Sequence, residues 1–218
     1  MSNYYSDYKN YFKLNTNNTS VDKLISDSKE IINNNFTNSL FNETIYINGI
    51  ETIAIVKQEK NSEEKTVILR PDNKIEIGSL VKVNNYTYLA INSLSDGIYS
   101  IYPTTKVKLC NSTYLLPGTI TKVQIGVNDF GLPIYEYKES DPTPLPCVVE
   151  TTITSDDTDE AINLPEGTIL VTIPYTEHES LRENTKFKMY GNSYEIIGID
   201  YSKSVNKVGL LSIKGKKV

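Results

Sequence analysis

Apolar and polar positions change rhythm near residue 43. Before that point the spacing is helical. Thr19 and Asp22 stand at the offset of a capping box, and Val21, Leu24, Ile25, Ser28, Ile31, Ile32, Asn35 and Phe36 then share one stripe at 3.6-residue spacing, which predicts a helix over about residues 20 to 35. Upstream, Tyr4, Tyr5, Tyr8, Tyr11 and Phe12 recur at mixed three- and four-residue intervals, one face of a short helix cut off by the turn cluster LNTNNTS.

From residue 43 the period is two. Thr44 to Ile47, then Asn48-Gly49, then Ile50 to Val56 is a hairpin whose central dipeptide supplies two positive φ angles for a type I′ turn. Further strands are predicted at 65–69, 79–83, 86–91, 98–101, 105–109 and 113–116, divided by Pro71-Asp72-Asn73, Gly78, Asn84-Asn85, Asp96-Gly97 and Cys110-Asn111. Strands resume at 148–154, 168–173, 186–189, 193–199 and 209–214, with the acidic SDDTDE read as a solvated loop. Many short strands at this spacing predict a mainly β protein built from two small barrel-like or sandwich-like modules.

Between them the pattern breaks into GVNDFGLPIYEYKESDPTPLPC, which carries Pro133, Pro142, Pro144 and Pro146. Proline fixes φ and cannot donate to a ladder, so this stretch reads as an extended arm or linker. The organisation expected is a helical region at 1–41, a first β module at 42–125, a Pro-rich arm at 126–147 and a second β module at 148–218.

A three-fold echo runs through the strands: Lys82 to Tyr88, Lys108 to Tyr114 and Lys188 to Tyr194 each join a basic-then-apolar strand end, an Asn-containing tight turn and a returning Tyr. Recurring hairpin chemistry in an Asn- and Tyr-rich chain accounts for it.

Candidate chemistry is sparse. His178 is the single histidine, and it lies between Glu177 and Glu179 in a polar segment rather than beside a strained nucleophile turn. Cys110 and Cys147 are too few for a disulfide framework and, with one histidine, too few for a Cys/His zinc site. Asp156, Asp157, Asp159 and Glu160 lack the alternation, central glycine and terminal glutamate of an EF-hand loop. The dinucleotide fingerprint, the P-loop and the His-Glu-x-x-His zinc motif are all missing from the sequence. We therefore expect no catalytic residues, no cofactor and no resident metal.

The chain of 218 residues is 39% hydrophobic and 22% charged, enough apolar material for a core. Its formal charge of −5 and the lack of a dense Lys/Arg block disfavour a protein that grips nucleic acid by its phosphates. No run approaches the roughly 20 apolar residues of a membrane helix, and Met1-Ser2-Asn3-Tyr4-Tyr5 lacks the order of a signal peptide, so synthesis in the cytoplasm without a membrane partner is expected.

Residues 47–116 resemble tailed-bacteriophage virion proteins from low-GC Gram-positive hosts. The resemblance is carried by Asn48-Gly49, Gly78-Ser79-Leu80-Val81, Tyr88-Leu89-Ala90-Ile91 and Lys108-Leu109-Cys110-Asn111, and FKMYGNSYEIIGIDYS looks like the second module of such proteins. It implies a structural role in the neck, as a head-tail connector, head-closure or stopper ring. The partners implied are other copies of the chain, portal or adaptor proteins, tail proteins, and DNA that passes without sequence recognition. A tail or baseplate component, or a carbohydrate-binding β module, is the alternative.

Five aromatics in the first twelve residues are too apolar to stay free; the chain's own core or a partner must take them. The candidate contact residues are Tyr4, Tyr5, Tyr8, Tyr11 and Phe12 in that segment, and Phe130, Leu132, Ile134, Tyr135 and Tyr137 in the arm.

Overall fold

In the computed structural model, which describes residues 20–71, 73–95, 101–155 and 158–218, the Asn48-Gly49 turn forms as its residue types dictate: φ is 50° at Asn48 and 85° at Gly49. It joins β1 (Asn42–Ile47) to β2 (Ile50–Gln58), with Ile47 opposite Ile50. The ladder continues through β3 (Glu64–Leu69), β6 (Thr104–Leu109), β5 (Tyr86–Ser95) and β4 (Leu80–Val83), and β4 pairs back onto β1 to close a six-stranded barrel. Alternation turns Ile45, Val67, Val81, Val83 and Val107 inward, where they form the core.

Asn48 also finishes that closure. Its backbone N–H donates to the Leu80 carbonyl at 2.8 Å, and its Oδ1 accepts from the Leu80 N–H at 2.9 Å. The turn residue thereby pairs both polar groups of Leu80 at the first rung of β4.

The second module is a seven-stranded sheet in the order β14 (Lys186–Met189), β15 (Asn192–Asp200), β17 (Val208–Lys217), β13 (Thr168–Pro174), β10 (Thr143–Glu150) and β7 (Ser112–Leu116), with β16 (Ser204–Val205) paired to β17. It curls until β7 and β14 nearly meet. The Tyr114 and Phe187 rings lie 5.3 Å apart, and the Ser112 hydroxyl lies 3.0 Å from the Met189 sulfur, so side chains cross a seam where the sheet has no ladder. Gly215 makes room for Phe187: a Cβ there would sit 2.7 Å from a ring carbon.

The modules share a small core of their own, in which Leu89 of the barrel is buried against Val148 and Leu210 of the sheet. Gly78 touches the Gly209 backbone so closely that a Cβ on Gly78 would lie 1.9 Å from the Gly209 carbonyl oxygen. Lys108 on β6 reaches Glu150 on β10 at 2.6 Å, with Glu64 at 3.9 Å on its other side. These contacts hold the two modules against each other.

The helix predicted over 20–35 is α1 (Ser20–Asn38), longer by three residues at its end. Its stripe is mostly not covered: Phe36 is buried under the Arg70 guanidinium, 5.9 Å from the ring centre, whereas Leu24 and Ile31 are exposed. The Asn42 side chain donates to the carbonyls of Phe36 and Thr37, ending the helix.

Three expectations change. Strand β7, placed by sequence in the first module, belongs to the second sheet, because the echo at Lys108 to Tyr114 is not a hairpin: β6 stays in the barrel while Cys110-Asn111 carries the chain across. The other two echoes are hairpins, β4–β5 with Asn84 at φ 53° and β14–β15 with Tyr190 at 50°. Of the arm or linker expected at 126–147, the arm is what forms, with β8 (Ile120–Val127) and β9 (Pro133–Glu139) paired outside both sheets, but Pro144 and Pro146 lie within β10 of the second sheet. Only β7 flanks that part of β10, so the proline nitrogens break no ladder on the open side. The acidic loop is also partly strand, with β12 (Thr158–Asn163) paired to β11 (Thr152–Ser155).

A candidate assembly surface on the β8–β9 arm

The arm leaves the second module at its base, where the Ser140 N–H donates to the Thr119 carbonyl at 3.1 Å. Every residue of β8 and β9 is exposed, and neither strand is bonded into the barrel or the sheet. The register puts Ile120, Lys122, Gln124, Tyr135, Tyr137 and Glu139 on one face and Thr121, Val123, Ile134, Glu136 and Lys138 on the other. A bulge between Gln124 and Gly126 leaves Ile125 without a partner across the ladder.

Local chemistry stiffens the ribbon. Lys122 Nζ sits 3.8 Å from the centre of the Tyr135 ring, and Lys138 pairs with Glu136 at 3.8 Å. At the tip, Asn128 Oδ1 accepts from the N–H groups of Phe130 (3.0 Å) and Leu132 (2.8 Å), and the Gly131 N–H donates to the Asn128 carbonyl at 2.9 Å. Gly131 at φ 76° completes the turn, which holds Phe130 outward at 90% exposure.

Apolar side chains lie on both faces of a two-stranded ribbon with no core beneath it. Such a hairpin is marginal by itself in water, and a contiguous exposed apolar patch marks a contact surface. Burial of side chains such as Phe130, Leu132, Ile134, Tyr135 and Tyr137 yields about 1.5 to 3 kcal/mol each when complete.

The structure brings those five predicted residues together on the arm. Tyr4, Tyr5, Tyr8, Tyr11 and Phe12 lie outside the described residues. Sequence reasoning missed Ile120, Val123, Ile125 and Val127, which complete the exposed apolar set, because the bulge spoils the two-residue alternation that would have marked β8. It also missed Leu40 and Phe41, exposed at 97% and 79% between α1 and β1.

His178 Nδ1 is 2.8 Å from the Ser180 hydroxyl within its own turn. Cys147 is fully buried and Cys110 partly so; burial, reinforced by the other thiol's charge, pushes the Cys110 thiol up to about 12. Burial likewise raises Cys147 to about 11, against opposing hydrogen bonds from Ser112 and the Tyr114 backbone. Both thiols stay protonated at neutral pH, the form that is a poor nucleophile. Among the described residues, no three His, Cys, Asp or Glu side chains gather as a metal site, and no helix is long and apolar enough to cross a membrane.

Two family models match the chain, the YomX N-terminal domain over residues 4–109 and the YomX C-terminal domain over residues 118–216. Their division falls at the crossover from barrel to sheet. The chain is 32% identical over 216 residues to the SPbeta prophage-derived protein YomX of Bacillus subtilis, covering 97% of this chain and 96% of that protein. No solved structure matches it. The likeness spans both modules and nearly the whole length of each protein, and the chain belongs to the YomX family.

Proposed function

We propose that this chain is a non-catalytic structural subunit of a phage particle that assembles with copies of itself into a ring in the neck, joining portal or adaptor proteins to the tail and letting DNA pass. The observation that carries the reading is the β8–β9 arm, an exposed, partly apolar ribbon projecting from two β modules joined by a small shared core. A prophage-derived relative supports the phage setting, and the neck is what the resemblance of residues 47–116 to tailed-phage virion proteins implies. The net charge of −5 suits a wall that DNA slides past.

The test is cryo-electron microscopy of particles induced from a host whose prophage carries this gene with an epitope tag. Labelled density as a ring between head and tail is expected. Label on the tail or baseplate would move the protein within the particle, and particles without the protein would contradict the proposal.

A further inference from the structure

The seam between β7 and β14 opens into a pocket of about 480 Å³ at the foot of the arm. Tyr114, Pro117, Pro142 and Phe187 supply its apolar wall, and Lys186 and Lys188 stand on the exposed side of β14. Neither lysine is in a salt bridge among the described residues. Two sheet edges with unused backbone groups face each other there, so the pocket is bounded by apolar side chains and cations together.

The tip of the arm is its complement: Phe130 projects from the fixed Asn128–Gly131 turn, and exposed Asp129 stands beside it. A subunit cannot fill its own pocket this way. Pro117 and Pro142 flank the base of the arm, and eight residues of β8 at about 3.3 Å each carry the tip roughly 25 Å away. Tip and pocket are different patches on one surface, so their union between copies is head-to-tail, the kind of contact that generates rings when the rotation closes.

We infer that Phe130 at the tip of one copy's arm seats in the β7–β14 pocket of a second copy, with Asp129 facing Lys186 and Lys188. This rests on the self-assembly reading above and names the two surfaces that meet.

The experiment places the photoreactive residue p-benzoylphenylalanine at position 130 of the full chain, mixes it with isotope-labelled full chain, irradiates, and maps the cross-links by mass spectrometry. Cross-links between copies at residues 114–117, 142 or 185–188 are expected. An oligomer whose cross-links fall elsewhere, or do not form, overturns the pocket assignment and leaves self-assembly standing. A monomeric mass without inter-copy cross-links overturns both. Charge exchange supplies a second arm: Asp129→Lys should weaken association roughly 2- to 5-fold, and Lys186→Glu or Lys188→Glu in the same chain should restore it. Loss that neither substitution restores contradicts the pairing.

Discussion

Asn111 takes both backbone polar groups of Val149: its Nδ2 donates to the Val149 carbonyl at 2.9 Å, and its Oδ1 accepts from the Val149 N–H at 2.8 Å. A side-chain amide thus imitates a neighbouring strand where the β7–β10 ladder stops at Ser112 and Cys147. It does so at the point where the chain leaves the barrel for the second sheet.

Asn111→Ala leaves a buried donor and acceptor of Val149 without partners, so it should cost about 1 to 3 kcal/mol in urea unfolding. Asn111→Asp should cost a similar amount, because a carboxylate can accept from the N–H but offers nothing to the carbonyl. A change below about 0.5 kcal/mol for both would mean that water replaces the amide.

Gly78→Ala tests whether the modules act as one unit. The added Cβ meets the Gly209 carbonyl, and φ at Gly78 is 86°, a region L side chains rarely adopt. Calorimetry of the parent chain should show one cooperative transition. The variant should lose at least about 2 kcal/mol and show the barrel and second sheet melting apart. Two transitions already present in the parent would contradict this coupling.

Stability should also fall at high pH. Burial raises Tyr114 to about 12, as it raises Cys110 to about 12 and Cys147 to about 11. An unfolded thiol ionises near 9 and an unfolded tyrosine near 10, so above those values the unfolded chain releases protons that the folded chain retains. The contribution of these groups is fully present below pH 9 and is lost as pH rises from 9 to about 12. Unfolding midpoints should drop across that window, less so in Cys147→Ala when each is compared with its own value at pH 7. A midpoint that stays level from pH 8 to pH 11 would contradict the burial of these groups.

The barrel was legible in the sequence because its signals are local. Asn48-Gly49 sets a turn, and Val81, Val83, Ile45 and Val107 mark the inward face by alternation. The crossover at Asn111 was not legible: VKLCNSTY has the chemistry of a tight hairpin, and only the long-range partners Val149 and Glu150 reveal that the chain changes sheet there. The arm was half legible. Tyr135 and Tyr137 are exposed in β9, and an arm is present, but its pairing was hidden: the prolines suggested an unpatterned arm or linker where Pro133 begins a strand and the nitrogens of Pro144 and Pro146 face the open side of another.

Assembly through the arm is the central claim, and native mass spectrometry of two chains tests it most directly. In the second chain, residues 120–139 give way to a short glycine link between Thr119 and Ser140, whose backbones already bond at 3.1 Å. Because the excised strands belong to neither sheet, the shortened chain should keep the melting transition of the parent. The full chain should appear as a discrete oligomer and the shortened chain as a monomer. An oligomer of unchanged copy number without the arm, or a full chain that is monomeric at every concentration tested, would contradict the account.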